Sequence, residues 1–228
     1  MTVNPETNPD FVGLPPAPEV RQIEVGLMQN FCEILYCPRT KEAAVVDPAW
    51  EVDRLLREAA ELGVNIRKIL ITHTHNDHIE GVAEMVEATG ATAYVHPNER
   101  ARIEPLASDI APVSDGVDIP IGECGVRALE TPGHTVGGTT YLADGYVVTG
   151  DVLFVRGCGR TDLGGGDTRA LWDSLQRLLA LPEETRLYPG HNYGPTPTST
   201  LSQEALENPY LVCRTFEEFQ ALRERPRR

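Results

Sequence analysis

Three histidines and an aspartate lie within six residues, in the cluster His73-Thr74-His75-Asn76-Asp77-His78, which limits the fold more than any other stretch. The apolar run 68–72 before it predicts a buried strand, and the apolar positions of 79–89 after it recur at helical spacing. The cluster is therefore expected in the turn at the carboxyl end of a strand, where α/β folds bind ligands. A solvated loop whose histidines cap the helix is the alternative; we favour the ligand site.

Three further candidate ligands, His134, Asp151 and His191, each follow a predicted strand and are each preceded by glycine. Glycine permits the sharp turns that bring a side chain close to a site. Taken singly, each has a structural alternative, a loop cap for the aspartate and a turn residue for each histidine. Four strand-end loops with ligand-type residues together predict one metal site, and imidazole with carboxylate suits Zn(II), Fe(II) or Mn(II).

Two other polar residues also end predicted strands. Asp47 closes the third strand, where it either caps the strand end or supports the histidine cluster from behind. His96 stands alone before Pro97, which favours a structural histidine over a ligand.

Strands and helices are predicted in the order strands, helix, strand, helix, and then again strands, helix, strand, helix. Two mixed sheets covered by helices, a four-layer αββα sandwich of the α/β class, fit this order best. Residues 1–20 are rich in proline and predict an extended or mobile N-terminal arm, and residues 21–228 predict a single domain. Among the predicted elements are strands 23–28, 126–130 and 146–149, helices 51–62, 168–180 and 216–225, and irregular segments 109–120 and 150–167.

The composition narrows the class of substrate. The formal net charge of -14 disfavours a nucleic-acid partner but not a small anionic substrate. No apolar run reaches the roughly 18 residues of a membrane span, and no secretory signal is visible. Five cysteines, an odd number without C-x-x-C spacing, indicate a reducing cytoplasm.

The pattern His73-x-His75-x-Asp77-His78, then His134, Asp151 and His191, is similar to that of the metallo-β-lactamase superfamily, over roughly residues 22–210. The resemblance implies an αββα sandwich with its site at the sheet edges. It also implies two divalent ions, with Zn(II) expected. By the family pattern, one metal position is lined by His73, His75 and His134, the other by Asp77, His78 and His191, and Asp151 bridges them.

Two branches of the family are similar to this chain. The segment Gly81-Val82-Ala83-Glu84-Met85 resembles glyoxalase II and its short relatives, which hydrolyse glutathione thioesters. That branch implies attack by a metal-bound hydroxide, with Asp77 both binding metal and accepting a hydrogen bond from the hydroxide. The chain ends soon after His191, so the long C-terminal helical extension of full-length glyoxalase II is not expected.

The segment 156–162, Arg-Gly-Cys-Gly-Arg-Thr-Asp, resembles instead the corresponding loop of persulfide dioxygenases. Those enzymes imply one Fe(II), held by the 2-His-1-carboxylate set His73, His134 and Asp151. Within the segment, Arg160 is a candidate to bind a substrate carboxylate, with an ion pair to Asp162 as the alternative. Tyr193, two residues after His191, is a second candidate for substrate contact.

The sequence therefore predicts a metal-dependent hydrolase of thioesters such as glutathione thioesters, acting on a small thiol-derived molecule in the cytoplasm. A mononuclear Fe(II) dioxygenase acting on glutathione persulfide is the alternative. A metal-binding pseudoenzyme is the third hypothesis, and the complete ligand set argues against it. Neither a nucleic acid nor a membrane is expected as a partner, and a homodimer is the assembly considered.

Overall fold

The computed structural model describes residues 8–224, and its first sheet has six strands in chain order. They are β1 (Glu19–Val25), β2 (Asn30–Tyr36), β3 (Glu42–Val46), β4 (Asn65–Leu70), β5 (Thr92–Val95) and β6 (Ile110–Pro112). β1, β2 and β3 pair antiparallel, and β3 to β6 pair in parallel. Parallel pairing places the carboxyl ends of β3 and β4 at the same edge of the sheet.

The second sheet also has six strands, and beside it lies a two-stranded hairpin. The second sheet contains β7 (Asp118–Ile121), β8 (Cys124–Glu130), β9 (Thr139–Ala143), β10 (Tyr146–Gly150), β13 (Arg186–Pro189) and β14 (Ser199–Thr200), and the hairpin β11 (Leu153–Phe154) and β12 (Gly157–Cys158). The strand order is β14-β13-β10-β9-β8-β7, with only β10 and β13 parallel. β8, β10 and β13 therefore point the same way. A turn at Asp144-Gly145 joins β9 to β10.

Seven α-helices of the described residues cover the two sheets. They are α1 (Val52–Leu62), α2 (Asn76–Ile79), α3 (Val82–Thr89), α4 (Arg100–Ile103), α5 (Thr168–Leu179), α6 (Leu201–Glu207) and α7 (Phe216–Arg223). The same part of the chain has three apolar cores: one between the first sheet and α1 and α3, one between the second sheet and α5 to α7, and one between the sheets. These three cores define four layers, so the predicted αββα sandwich is confirmed. Within residues 8–224, no helix combines the length and apolar character of a membrane span.

Several predicted boundaries differ from the structure. The first strand, predicted over 23–28, is β1 (Glu19–Val25), because Gly26 adopts a positive φ of 67° and begins a turn. The segment 109–120, predicted as irregular, contributes β6 and the start of β7. Strands of three and four residues are too short to give a clear alternating pattern.

The helix predicted over 79–89 is divided into α2 and α3, and α2 begins three residues earlier than expected. Asp77 and His78 therefore lie on a short helix, whereas His73 and His75 precede it. The glycine-rich segment 150–167, predicted without regular structure, contains the β11–β12 hairpin.

The N-terminal segment was predicted as an extended or mobile arm, and its first seven residues lie outside the described part of the chain. Residues 14–18 have no regular structure, but the segment from residue 8 onward is packed against the second half. The Arg177 guanidinium binds the Asp10 carboxylate at 2.7 Å, and Tyr146 Oη donates to Pro18 O at 3.0 Å. The described part of the segment is therefore anchored, and the predicted boundary at residue 20 falls within β1.

Candidate metal centre

The seven predicted ligands meet at one edge of the sandwich. His73 and His75 follow β4, Asp77 and His78 lie on α2, and the other three follow β8, β10 and β13. Because these strands end at the same side of the molecule, residues far apart in sequence become neighbours. At Gly190 the backbone passes close to a candidate ligand, since an added Cβ would lie 2.6 Å from Asp151 Oδ1.

The side chains form two groups, each with ligand atoms within 4.8 Å of one another. The first group is His73, His75 and His134, in which His134 Nε2 lies 2.9 Å from His75 Nδ1. The second group is Asp77, His78 and His191, in which the two Nε2 atoms are 3.2 Å apart. This division is the one that the family pattern implies, and the roles of these residues as ligands remain a proposal.

Asp151 lies between the two groups and turns one oxygen towards each. Its Oδ2 is 3.5 Å from His134 Nε2 and 4.0 Å from His73 Nε2. Its Oδ1 is 3.3 Å from His78 Nε2 and 3.4 Å from His191 Nε2. A carboxylate so placed can bind a cation on each side.

Hydrogen bonds to groups outside the two ligand groups fix the orientation of three of the imidazoles. His134 Nδ1 lies 2.7 Å from Arg160 O, and His191 Nδ1 lies 3.0 Å from Met28 O. Since a carbonyl only accepts, each of these Nδ1 atoms carries a proton, and each Nε2 atom faces the centre. The Asp47 carboxylate engages His78 Nδ1 in the same way at 3.0 Å. This arrangement is typical of metal-binding histidines.

Asp47 supports the histidine cluster and does more than cap β3. Its Oδ1 accepts from Thr72 N at 2.8 Å, and its Oδ2 accepts from the Thr72 hydroxyl as well as binding His78. The residue is 2% exposed and has a positive φ of 43°, a backbone conformation that non-glycine residues adopt at a cost. Asp47 therefore joins the end of β4 to α2 behind the ligands.

The acidic groups of the site attract positive charge. Burial opposes charge on Asp77, but His191 and His78 outweigh it and lower its pKa to about 2. Burial likewise opposes charge on His191, but Asp151 and Asp77 raise its pKa to about 9. Burial lowers the pKa of His73 well below its usual value, which keeps that imidazole neutral and able to bind a cation. A divalent cation would displace the protons that the carboxylates stabilise.

The residues fit a divalent metal ion. His73 Nε2 and Asp151 Oδ1 are buried and have no hydrogen-bond partner. Unsatisfied buried polar atoms are rare in folded proteins and require an explanation. A metal ion bound by these imidazole and carboxylate groups would satisfy both atoms. Ligands of these two types suit zinc or iron.

A cavity of about 670 Å³ opens over the site. Both predicted substrate residues line it: Tyr193 is 55% exposed and stacks on the His191 ring at 4.4 Å, whereas the Arg160 guanidinium forms two hydrogen bonds with Asp162. The ion pair weighed as the alternative role of Arg160 is therefore present. His96 lies outside the ligand groups and binds Glu130 at 3.2 Å, in line with a structural role.

Two supporting residues were not predicted from the sequence. Asn30 Nδ2 donates to Asp77 O at 2.9 Å and to Asp77 Oδ2 at 3.2 Å. Glu99 accepts from the Thr74 hydroxyl and, at 3.1 Å, from Gly137 N, so it connects the loops that carry the first group of histidines. Neither residue lies in a recognisable motif. Each bonds to residues that are distant in the chain, so the sequence around it does not indicate its role.

The sequence model of the metallo-beta-lactamase superfamily matches residues 34–191, which include all seven candidate ligands. The chain belongs to this superfamily. A probable polyketide biosynthesis zinc-dependent hydrolase, BaeB of Bacillus velezensis, is 31% identical over 210 residues, with 91% of this chain and 93% of the relative covered.

Two further comparisons concern a curated enzyme and a solved structure. A hydroxyacylglutathione hydrolase of Vibrio cholerae is 39% identical over 155 residues, covering 68% of this chain but only 59% of that enzyme. The crystal structure of ETHE1 from Myxococcus xanthus has a TM-score of 0.83 and 34% identity, with 90% of each chain covered. The chain is thus a superfamily enzyme of the glyoxalase II-like type, and the resemblance to both branches stands.

Proposed function

We propose that the protein hydrolyses a thioester of a small thiol, such as a glutathione thioester, with two divalent metal ions, for which zinc is the expected metal. The position of Asp151 carries the proposal, because its two oxygens face different groups of imidazoles at 3.3 to 4.0 Å. A bridging carboxylate between two such groups suits a dinuclear centre. When bound, such ions lower the pKa of water towards neutrality and polarise a carbonyl.

The chain itself holds and orients the reactants. Asp77 stays a carboxylate, since its pKa is about 2, and its Oδ2 accepts a hydrogen bond from Asn30. We assign to Asp77 the roles of metal ligand and acceptor for a proton of the attacking water. Asn30 limits the rotation of this carboxylate, and Asp77 lines the cavity.

The cavity supports a substrate that is partly apolar and carries a charge. The cavity has an apolar lining and includes the cationic side chain of Arg160. The apolar lining includes Met28, Phe154, Leu163, Tyr193 and Tyr210. We assign to Tyr193 a packing contact with the carbon chain or a peptide group of the substrate. Arg160 would bind a substrate carboxylate in place of its ion pair with Asp162. A hydroxyacylglutathione hydrolase among the relatives favours glutathione as the thiol.

A persulfide dioxygenase with one Fe(II) is the second candidate. The loop 156–162 favours it, as does the contact of Asp151 Oδ2 with His73 and His134, which forms a 2-His-1-carboxylate set. Hydrolysis is preferred because two of the relatives are named as hydrolases, one zinc-dependent and one acting on hydroxyacylglutathione. A pseudoenzyme, the third hypothesis, is disfavoured because both candidate ligand groups are complete. The cytoplasmic location, the homodimer and the exclusion of nucleic acid remain predictions.

Removal of metal tests the proposed hydrolysis. Protein stripped with a chelator should cleave S-lactoylglutathione at least roughly a hundredfold more slowly, because the bare water nucleophile loses its activation. Zinc added under argon should restore the rate, measured as release of free thiol. A metal-free protein that cleaves the thioester at the original rate would rule the proposal out.

A further inference from the structure

The backbone of residues 159–160 is pressed against two of the candidate ligands. An added Cβ on Gly159 would lie 1.9 Å from Asp151 O and 3.0 Å from His134 Nδ1. The next carbonyl, Arg160 O, accepts the His134 Nδ1 proton at 2.7 Å. The orientation of His134 therefore depends on where this short stretch of backbone lies.

A single side chain of α7 holds that stretch in place. Arg223 Nη1 donates to Gly159 O at 2.7 Å and contacts Cys158 Sγ at 3.3 Å, and Nη2 donates to Thr161 Oγ1 at 3.2 Å. These contacts flank Arg160 on both sides. Bonds from a charged donor are stronger than neutral ones, and the planar guanidinium fixes their directions.

The Arg223 side chain is itself fixed by aromatic neighbours. Its guanidinium carbon lies 5.7 Å from the Tyr210 ring and 5.9 Å from the Phe219 ring, within range of a cation–π interaction. Phe219 is fully buried and packs on Trp172 of α5 at 5.3 Å. Arg223 therefore contacts residues 158–161 from a part of α7 that packs into the apolar core between the second sheet and α5 to α7.

α7 lies beyond residues 34–191, the region that the superfamily shares. We propose that Arg223 is a positioning residue for the metal centre, which acts through the backbone of residues 159–160 to orient His134 and to direct Arg160 towards the cavity. The inference rests on the proposed role of His134 as a ligand but not on the identity of the substrate. Partners that orient a ligand in this way change metal affinity by about 10- to 100-fold.

Substitution of Arg223 tests this role through metal binding. In the full-length protein, Arg223→Gln should raise the zinc dissociation constant about tenfold, measured by competition with a chromogenic chelator. Arg223→Lys, which keeps the charge but has a single donor nitrogen, should recover part of the affinity. Arg169→Gln is the matched control. Arg169 lies 4.8 Å from the ring of Phe216, which is on α7 as Arg223 is. Its hydrogen bonds are to Asp167 and Asp173 and do not involve residues 158–161.

The spectrum of the cobalt-substituted protein provides a second readout. Arg223→Gln should shift the ligand-field bands, since His134 is no longer held in one orientation, whereas Arg169→Gln should leave them unchanged. Equal zinc affinity in wild type and Arg223→Gln, or an equal loss in Arg169→Gln, would overturn the proposal. If thioester cleavage is absent but zinc affinity still falls in Arg223→Gln, the proposed function fails and the positioning role stands.

Discussion

Asp151→Asn is expected to abolish turnover while leaving the fold in place. The amide keeps the shape of the side chain but carries no charge and has only one oxygen, so it cannot face both groups of imidazoles as a ligand. Thioester cleavage, followed as kcat/KM, should fall by on the order of 10³, the scale for loss of a charged or dipolar group at a reacting centre. The number of metal ions bound per chain, measured by inductively coupled plasma emission spectroscopy, should fall as well.

Asp118→Asn is the control for this substitution. Asp118 binds Arg127 at 2.8 Å on the second sheet, away from the candidate metal centre, so its loss should leave turnover unchanged. Circular dichroism of both variants should match that of the wild type. Near-normal cleavage by Asp151→Asn would refute the bridging role.

His191→Ala is expected to change the number of metal ions. The imidazole Nε2 of His191 belongs to the second group, 3.4 Å from both Asp77 and Asp151, and does not belong to the first. The variant should bind one ion per chain where the wild type binds two. Hydrolysis should fall about a hundredfold or more, which is roughly 3 kcal/mol in activation free energy.

His78→Ala should behave in the same way, and His96→Asn is the control for both. His96 is a buried histidine outside the two groups, and asparagine can still accept the hydrogen bond that Asn98 N donates to its side chain. The control should keep two ions and full activity. A wild type with one ion, and His191→Ala activity close to wild type, would favour the mononuclear alternative.

The sequence was sufficient to predict the sandwich, and it placed the seven candidate ligands in loops that follow strands, for identifiable reasons. The apolar residues Ile69, Leu70 and Ile71 shortly before His73 indicate a buried strand, and each later candidate follows a predicted strand and a glycine. The local sequence pattern is therefore enough to indicate the site. The edge strands β6 and β7 were missed because strands of three or four residues have no readable period.

Three supporting residues other than Asp47 could not be predicted, because their partners are distant in the chain. Asn30 reaches Asp77 across 47 positions, Glu99 reaches Gly137 across 38, and Arg223 reaches Gly159 across 64. Nothing local distinguishes these side chains from surface polar residues. Only tertiary packing determines which backbone group each one meets.

The most direct test of the account compares zinc- and iron-loaded forms of the same protein with two substrates. We expect the zinc form to cleave S-lactoylglutathione under argon, since hydrolysis requires neither dioxygen nor a redox-active ion. We expect no oxygen uptake when the iron form is given glutathione persulfide in an oxygen electrode. Oxygen consumption by the iron form, with no thioester cleavage by the zinc form, would contradict the assignment as a hydrolase.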